Sequence, residues 1–110
     1  MITVTVYRKD KNVQAFEISG HANSGPYGYD LVCAAVSAVS FGAVNAIFEM
    51  TNVSPEVKQN DEGGYLYVQL PSIGDKTELE RTQTIIDTML VSLRTIERDY
   101  RSFIQVKDIT

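Results

Sequence analysis

A nearly uncharged stretch at residues 31–48 constrains the fold of this 110-residue chain more than any other feature. Asp30 and Glu49 bracket the stretch, and four small or polar residues interrupt it: Ser37, Ser40, Gly42 and Asn45. A membrane-spanning helix needs about 20 strongly apolar residues, more than this stretch supplies. The pattern therefore favours a buried helix of one small domain, with Asp30 as its N-cap and its end near Met50.

The rest of the chain is predicted to form five strands and a second helix. Alternating apolar residues indicate strands at 2–7, 13–20, 56–59, 65–70 and 103–106, with residues 8–12 as a polar hairpin connection. A seven-residue repeat of apolar side chains predicts an amphipathic helix from Asp75 or Thr77 to about Arg98. The order ββαββαβ predicts a single α+β domain over residues 1–110. We expect a two-layer sandwich, in which a mostly antiparallel or mixed sheet carries both helices on one face.

Composition excludes several classes of function. Ten Lys and Arg residues against fourteen Asp and Glu leave a net charge of −4, which argues against direct binding of nucleic acid. A single cysteine excludes an intrachain disulfide and a thiolate-cage zinc site, and it suits a reducing compartment. Residues 1–10 alternate and do not resemble a targeting segment. We therefore expect a cytoplasmic protein with no metal, no cofactor and no membrane contact.

The only histidine and the only cysteine lie twelve residues apart, at the two ends of a glycine-rich connection. Cys33 falls in the first turn of the predicted helix, where the helix dipole lowers the pKa of a thiol. His21 could accept the thiol proton and later deliver it to a leaving amine, while free helix N–H groups hold an oxyanion. Ser37 lies one turn beyond Cys33 on the same helical face. This arrangement is typical of a cysteine nucleophile.

Each of these residues also has a structural explanation. A lone cysteine is often an inert small apolar residue, His21 could simply end a strand, and Asp30 could act only as an N-cap. Backbone contact or packing would account for four others: Ser37, Ser40, Tyr27 and Tyr29. The joint placement of thiol, imidazole, helix start and loop favours the catalytic interpretation.

Residues 20–37 fit the pattern G-H-A-x-x-G-x-x-G-x-D-x-V-C-A-A-x-S. This pattern resembles the ribosomal-processing cysteine protease (Prp, YsxB-like) family. The resemblance implies that Cys33 is the nucleophile and His21 the general base. The residues themselves suggest two supporting roles: Asp30 could orient His21 besides capping the helix, and Ser37 could hydrogen-bond near the sulfur. The resemblance also implies that residues 20–29 form a mobile cover that must move to admit the peptide. The composition of this segment predicts six substrate-loop residues, as glycine hinges or at the entrance: Gly20, Ser24, Gly25, Tyr27, Gly28 and Tyr29.

The same resemblance implies a substrate and an assembly. Family members remove a short N-terminal extension from the twenty-seventh large-subunit ribosomal protein, which suggests an aromatic and apolar segment at the cleavage point. They form homodimers. Two other interpretations remain: a non-catalytic, ribosome-associated module that binds a peptide, and another cysteine hydrolase such as a thioesterase. Thiol reactivity would separate catalysis from packing, because a catalytic Cys33 should alkylate fast at neutral pH.

Overall fold

Five strands pair into one mixed sheet in the computed structural model, which describes residues 1–23, 25 and 30–109. The spatial order is β3-β4-β2-β1-β5, in which β1 and β5 pair in parallel and the other neighbours are antiparallel. The elements in chain order are β1 (Ile2–Lys9), β2 (Asn12–Ser19), α1 (Leu31–Met50), β3 (Glu56–Gln59), β4 (Tyr65–Gln69), α2 (Lys76–Asp99) and β5 (Ile104–Ile109). The predicted α+β class, element order and mixed sheet are confirmed.

The first hairpin is tighter than its polar sequence suggests. Asp10 and Lys11 have φ angles of 52° and 74°. Positive φ at both central residues is the geometry of a two-residue type I′ turn, which matches the twist of the flanking strands. The predicted hairpin is confirmed, but its connection is shorter than residues 8–12, because Arg8 and Lys9 still belong to β1 and Asn12 to β2. The Arg8 side chain pairs with Asp108 of β5 at 2.8 Å, which ties the charged strand end to its parallel neighbour.

The core lies between one face of the sheet and the two helices. Apolar side chains of alternate strand positions fill it together with α2 residues, and several are fully buried: Val4, Val6, Phe16, Val68, Ile86 and Leu93. A side-chain amide fixes α2 to the sheet, since Gln83 both donates to and accepts from the Val13 backbone at 2.9 Å. Polar and aromatic side chains occupy the opposite face, where Tyr65 donates to Glu17 at 3.0 Å.

Helix α1 is buried on one face only. Val32, Val36 and Ile47 pack into the core, whereas Leu31, Phe41, Phe48 and Met50 are exposed. The prediction of a helix buried inside the domain therefore holds for one side only, because the core covers just the side that carries Val32, Val36 and Ile47. By length and composition alone, α1 could cross a membrane. Core helices of soluble proteins pass the same test. In α1, 28% of the most apolar stretch is buried by the rest of the protein.

Candidate active site

The Cys33 thiol is held where β2 leads into the start of α1. Asp30 caps the helix, and its Oδ1 accepts a hydrogen bond from the Cys33 N–H at 3.1 Å. The Ala22 N–H donates to the Cys33 sulfur at 3.3 Å. Since Ala22 directly follows His21, this bond joins the segment that carries the imidazole to the helix turn that carries the thiol.

His21 and Cys33 line the same cavity of about 290 Å³. Ser37 and Gly20 also line it, so the structure brings together four of the predicted site residues. Apolar side chains and residues of the β3–β4 turn also line the cavity. The apolar residues are Ile2, Ile18, Val36, Phe41 and Leu66. The residues of the turn are Asn60, Glu62, Gly63 and Gly64.

The predicted substrate loop is described only in part. Gly20 has a φ of 95° and donates its N–H to the Gly64 carbonyl at 2.9 Å. A Cβ at Gly20 would collide with the Met1 carbonyl oxygen, so this glycine is required for close backbone packing. Gly25 is half-buried. Four predicted loop residues lie outside the described residues: Ser24, Tyr27, Gly28 and Tyr29. The role of the loop as a cover stays a prediction.

Gly64 contributes to the site, although the local sequence predicts only a connection between the strands at 56–59 and 65–70 there. Its φ is 78°, and a Cβ there would lie 2.5 Å from Nε2 and 2.8 Å from Cε1 of His21. The imidazole therefore rests against the bare Cα of Gly64. Gly63, with the same φ, has open space around its Cβ position. Both glycines adopt a positive φ, so the Gly-Gly pair in the sequence indicates the turn but does not show that Gly64 approaches His21.

Several curated proteins that this chain resembles over nearly its whole length are named as proteases. The sequence profile described as Cysteine protease Prp matches residues 1–105. The chain belongs to the Prp cysteine protease family. It is 44% identical to the ribosomal processing cysteine protease Prp of Bacillus subtilis over 107 residues, with 96% of each chain covered. The Staphylococcus aureus protein of the same name is 41% identical over 107 residues, which cover 96% of this chain and 97% of that protein.

Solved structures agree with this assignment. The S. aureus protease Prp in complex with a covalently linked product peptide superposes with a TM-score of 0.90 at 39% identity, over 98% of this chain and 99% of that one. The same protease in complex with a substrate peptide gives a TM-score of 0.82 with the same identity and coverage. This member of the Prp family is thus a cysteine protease, and the non-catalytic interpretation is set aside.

Burial raises the pKa of the Cys33 thiol in this Prp-family protease. Hydrogen bonds from the N–H groups of Ala22 and Asn23 lower the pKa of this thiol. A hydrogen bond to Asp30 and the negative charge of that carboxylate raise the pKa further. The predicted lowering of the thiol pKa is therefore wrong for the free enzyme, because desolvation outweighs the donors. A raised pKa lowers the thiolate fraction at neutral pH, so slower alkylation is expected of the free enzyme, and Cys33 needs a base at the moment of attack.

The raised pKa predicts how alkylation depends on pH. Because Cys33 is the only cysteine, iodoacetamide reports on it alone. The rate follows the thiolate fraction, so it should increase about tenfold per pH unit through neutral pH. The midpoint of the pH profile of alkylation should lie at a higher pH for the folded chain than for the same chain unfolded in urea, where the thiol has its ordinary pKa. A midpoint below that of the unfolded chain would contradict this account of the thiol.

Asp30 allows its capping role to be separated from its charge. Asp30→Ala should lower the free energy of unfolding by about 0.5–2 kcal/mol, whereas Asp30→Asn caps about as well and should keep most of that stability. Loss of the carboxylate in Asp30→Asn should also move the alkylation midpoint to lower pH. Chemical unfolding and the pH profile measure the two effects. A stable Asp30→Asn variant with strongly reduced cleavage would instead assign Asp30 the predicted role of orienting His21.

Proposed function

We propose that this protease removes the N-terminal extension of the twenty-seventh large-subunit ribosomal protein during ribosome maturation, with Cys33 as nucleophile and His21 as general base. The observation that carries the proposal is that one cavity is lined by both side chains, in a chain with a single cysteine and a single histidine. The name of the relatives supplies the substrate class. We also place the protein in the cytoplasm, where a single free thiol stays reduced.

In the proposed mechanism, His21 takes the proton of the Cys33 thiol as the sulfur attacks the scissile carbonyl carbon. The new C–S bond leaves a negative charge on the carbonyl oxygen. The N–H groups at the start of α1 were predicted to hold this oxyanion. Two of them already donate hydrogen bonds to Asp30, namely Cys33 N–H to its side chain and Ala34 N–H to its carbonyl. We assign this role to the N–H groups of Ala22 and Asn23, which face the sulfur.

The proton on His21 then passes to the leaving amine, and the peptide C–N bond breaks. The N-terminal fragment remains on Cys33 as a thioester. Water, deprotonated by His21, attacks this thioester, which releases the fragment as a carboxylic acid and restores the thiol. His21 is exposed enough to exchange protons with solvent between the two steps.

The cavity supports an aromatic or apolar side chain next to the cleaved bond. Five apolar residues line the cavity, and such a lining suits a substrate segment that buries a large apolar group. The net charge of −4 also favours encounter with a basic ribosomal protein. A thioesterase would share the dyad, but the peptides bound to the S. aureus relative favour a peptide substrate.

The test is incubation of the purified protein with the extended ribosomal protein, followed by mass analysis of its N-terminus. Loss of the extension at one bond by the wild type, and an unchanged mass with Cys33→Ala, would support the proposal. An extension that stays intact with the wild type, or is removed equally well by Cys33→Ala, would refute it. Stoichiometric capture of the extended protein without cleavage would refute it as well.

We further propose a homodimer formed through the exposed face of α1. Phe41 and Phe48 are 37% and 48% exposed on that face, and a second copy would bury both. Phe48→Asp should shift sedimentation from dimer to monomer. Val91→Asp is the matched control, because Val91 is 66% exposed on α2 and its replacement should leave the dimer intact. A monomeric wild type at micromolar concentration would contradict the proposal.

A further inference from the structure

Strand β3 forms one edge of the sheet. It pairs with β4 on one side, and no other strand within the described part of the chain pairs with its outer side. An edge strand presents a row of backbone N–H and C=O groups to another extended chain. Glu56, Lys58 and Gln59 are exposed, so a partner can reach this edge. The strand has four residues, which gives room for about four residues of an added strand.

The end of β3 enters the cavity of the proposed catalytic residues. Gln59, the last residue of β3, and Asn60, the first residue of the following turn, line this cavity together with Cys33 and His21. Strand β5 forms the opposite edge of the sheet, and none of its described residues lines the cavity. An open sheet always has two edges, so an unpaired edge alone indicates no partner. The continuity of β3 with the cavity indicates that its partner is an extended peptide that reaches Cys33.

The two faces of the sheet differ beside β3. Val57 and Gln59 point to the face that carries the core, since their partners on β4 are buried core residues. Glu56 and Lys58 point to the opposite face, where they form an ion pair at 3.7 Å. The side chains of an added strand alternate in the same way. Every second residue of the peptide would therefore lie on the core side, next to the cavity.

We propose that the substrate binds as an added strand on β3, with backbone hydrogen bonds along Glu56–Gln59 that lead one side of the cleaved bond into the cavity. This inference rests on the proposed function and adds the mode of substrate binding to it. Strand addition takes its affinity from main-chain hydrogen bonds and its specificity from pockets for alternate side chains. The N–H groups of every second substrate residue should point to β3, and the N–H groups between them should point away.

The first experiment is a scan of peptides that span the cleaved bond of the extended ribosomal protein, each with one backbone N-methyl group. Methylation removes one N–H donor and leaves the side chains unchanged. On one side of the bond, kcat/KM of the wild type should fall by about three- to tenfold at every second residue of four, the loss of one hydrogen bond. The residues between them should keep nearly the unmethylated value. The two residues that flank the cleaved bond are left out, because they contact the reacting groups.

Disulfide trapping locates the added strand. Cys33 is the only cysteine, so Cys33→Ala gives an enzyme without thiols. In this background, Lys58→Cys adds a thiol on β3. Lys107→Cys is the matched control, because Lys107 is exposed on β5 and lies in the same row across the sheet. In a glutathione redox buffer, a peptide with one Cys in the methyl-sensitive segment should form a mixed disulfide with Lys58→Cys and none above background with Lys107→Cys.

Each outcome decides the proposal. Alternating sensitivity to methylation, with trapping by Lys58→Cys alone, supports it. Sensitivity without alternation, or no loss at any position, overturns strand addition while cleavage of the unmethylated peptide continues. Absence of trapping by Lys58→Cys, or equal trapping by Lys107→Cys, overturns the assignment to β3. A wild type that leaves the unmethylated peptide intact overturns the proposed function as well.

Discussion

Cys33→Ala is expected to abolish peptide cleavage, with a loss of at least about 10³-fold in kcat, because no other thiol can form the acyl-enzyme. His21→Ala should lose activity to a similar degree, since the raised thiol pKa makes proton removal necessary. His21 is exposed, so the free energy of unfolding of His21→Ala should stay within about 0.5 kcal/mol of wild type. Steady-state kinetics and chemical unfolding of the same samples measure both quantities.

The double variant tests whether the two residues act as a unit. Residues that share one chemical step have non-additive effects, so Cys33→Ala with His21→Ala should be no slower than either single variant. Cys33→Ser keeps the shape of the side chain and should also be inactive, because a serine hydroxyl is a far weaker nucleophile than a thiolate in this site. Wild-type turnover by any of these variants would show that the dyad is wrongly assigned.

Gly64→Ala is expected to lower kcat by about 100-fold, the scale of loss that a 1 Å displacement of a catalytic group can cause. The new methyl group would lie 2.5 Å from Nε2 of His21, so the imidazole must move. Gly63→Ala is a matched control, since both glycines have a φ of 78° and both variants place a side chain in the left-handed region. Only Gly64→Ala displaces His21, so Gly63→Ala should stay within a few fold of wild type.

Spectroscopy separates displacement of His21 from general destabilisation. The chain has one histidine, so its ring signals in an NMR spectrum need no further assignment. These signals should shift in Gly64→Ala and stay near their wild-type positions in Gly63→Ala, while both variants lose similar stability. Equal losses of activity in the two variants, with unshifted ring signals, would mean that Gly64 only shapes the turn.

Local patterns were sufficient to predict most of the elements. The N-cap Asp30, the apolar run behind it and the seven-residue repeat of α2 are short-range signals, and the helices follow them closely. The placement of His21 and Cys33 on one cavity was also predictable, because the two residues flank a single connection between a strand and a helix.

Long-range contacts account for what the sequence analysis missed. The approach of Gly64 to His21 depends on the pairing of β4 with β2, which no local pattern reports. The direction of the Cys33 pKa depends on burial by the folded chain, so the local helix dipole alone gave the wrong sign. The exposed face of α1 was also not predicted, because it depends on long-range packing. Composition shows that a helix is apolar but not how much of its surface the rest of the chain covers.

The most direct test of the central claim is intact-mass analysis of the enzyme during a single turnover with the extended ribosomal protein. Acid quenching on the millisecond to second scale should trap a species whose mass exceeds that of the free enzyme by the acyl mass of the N-terminal fragment. Digestion should locate the adduct on Cys33, and the adduct should be absent from Cys33→Ala. Cleavage without any such adduct, or an adduct on another residue, would contradict the account.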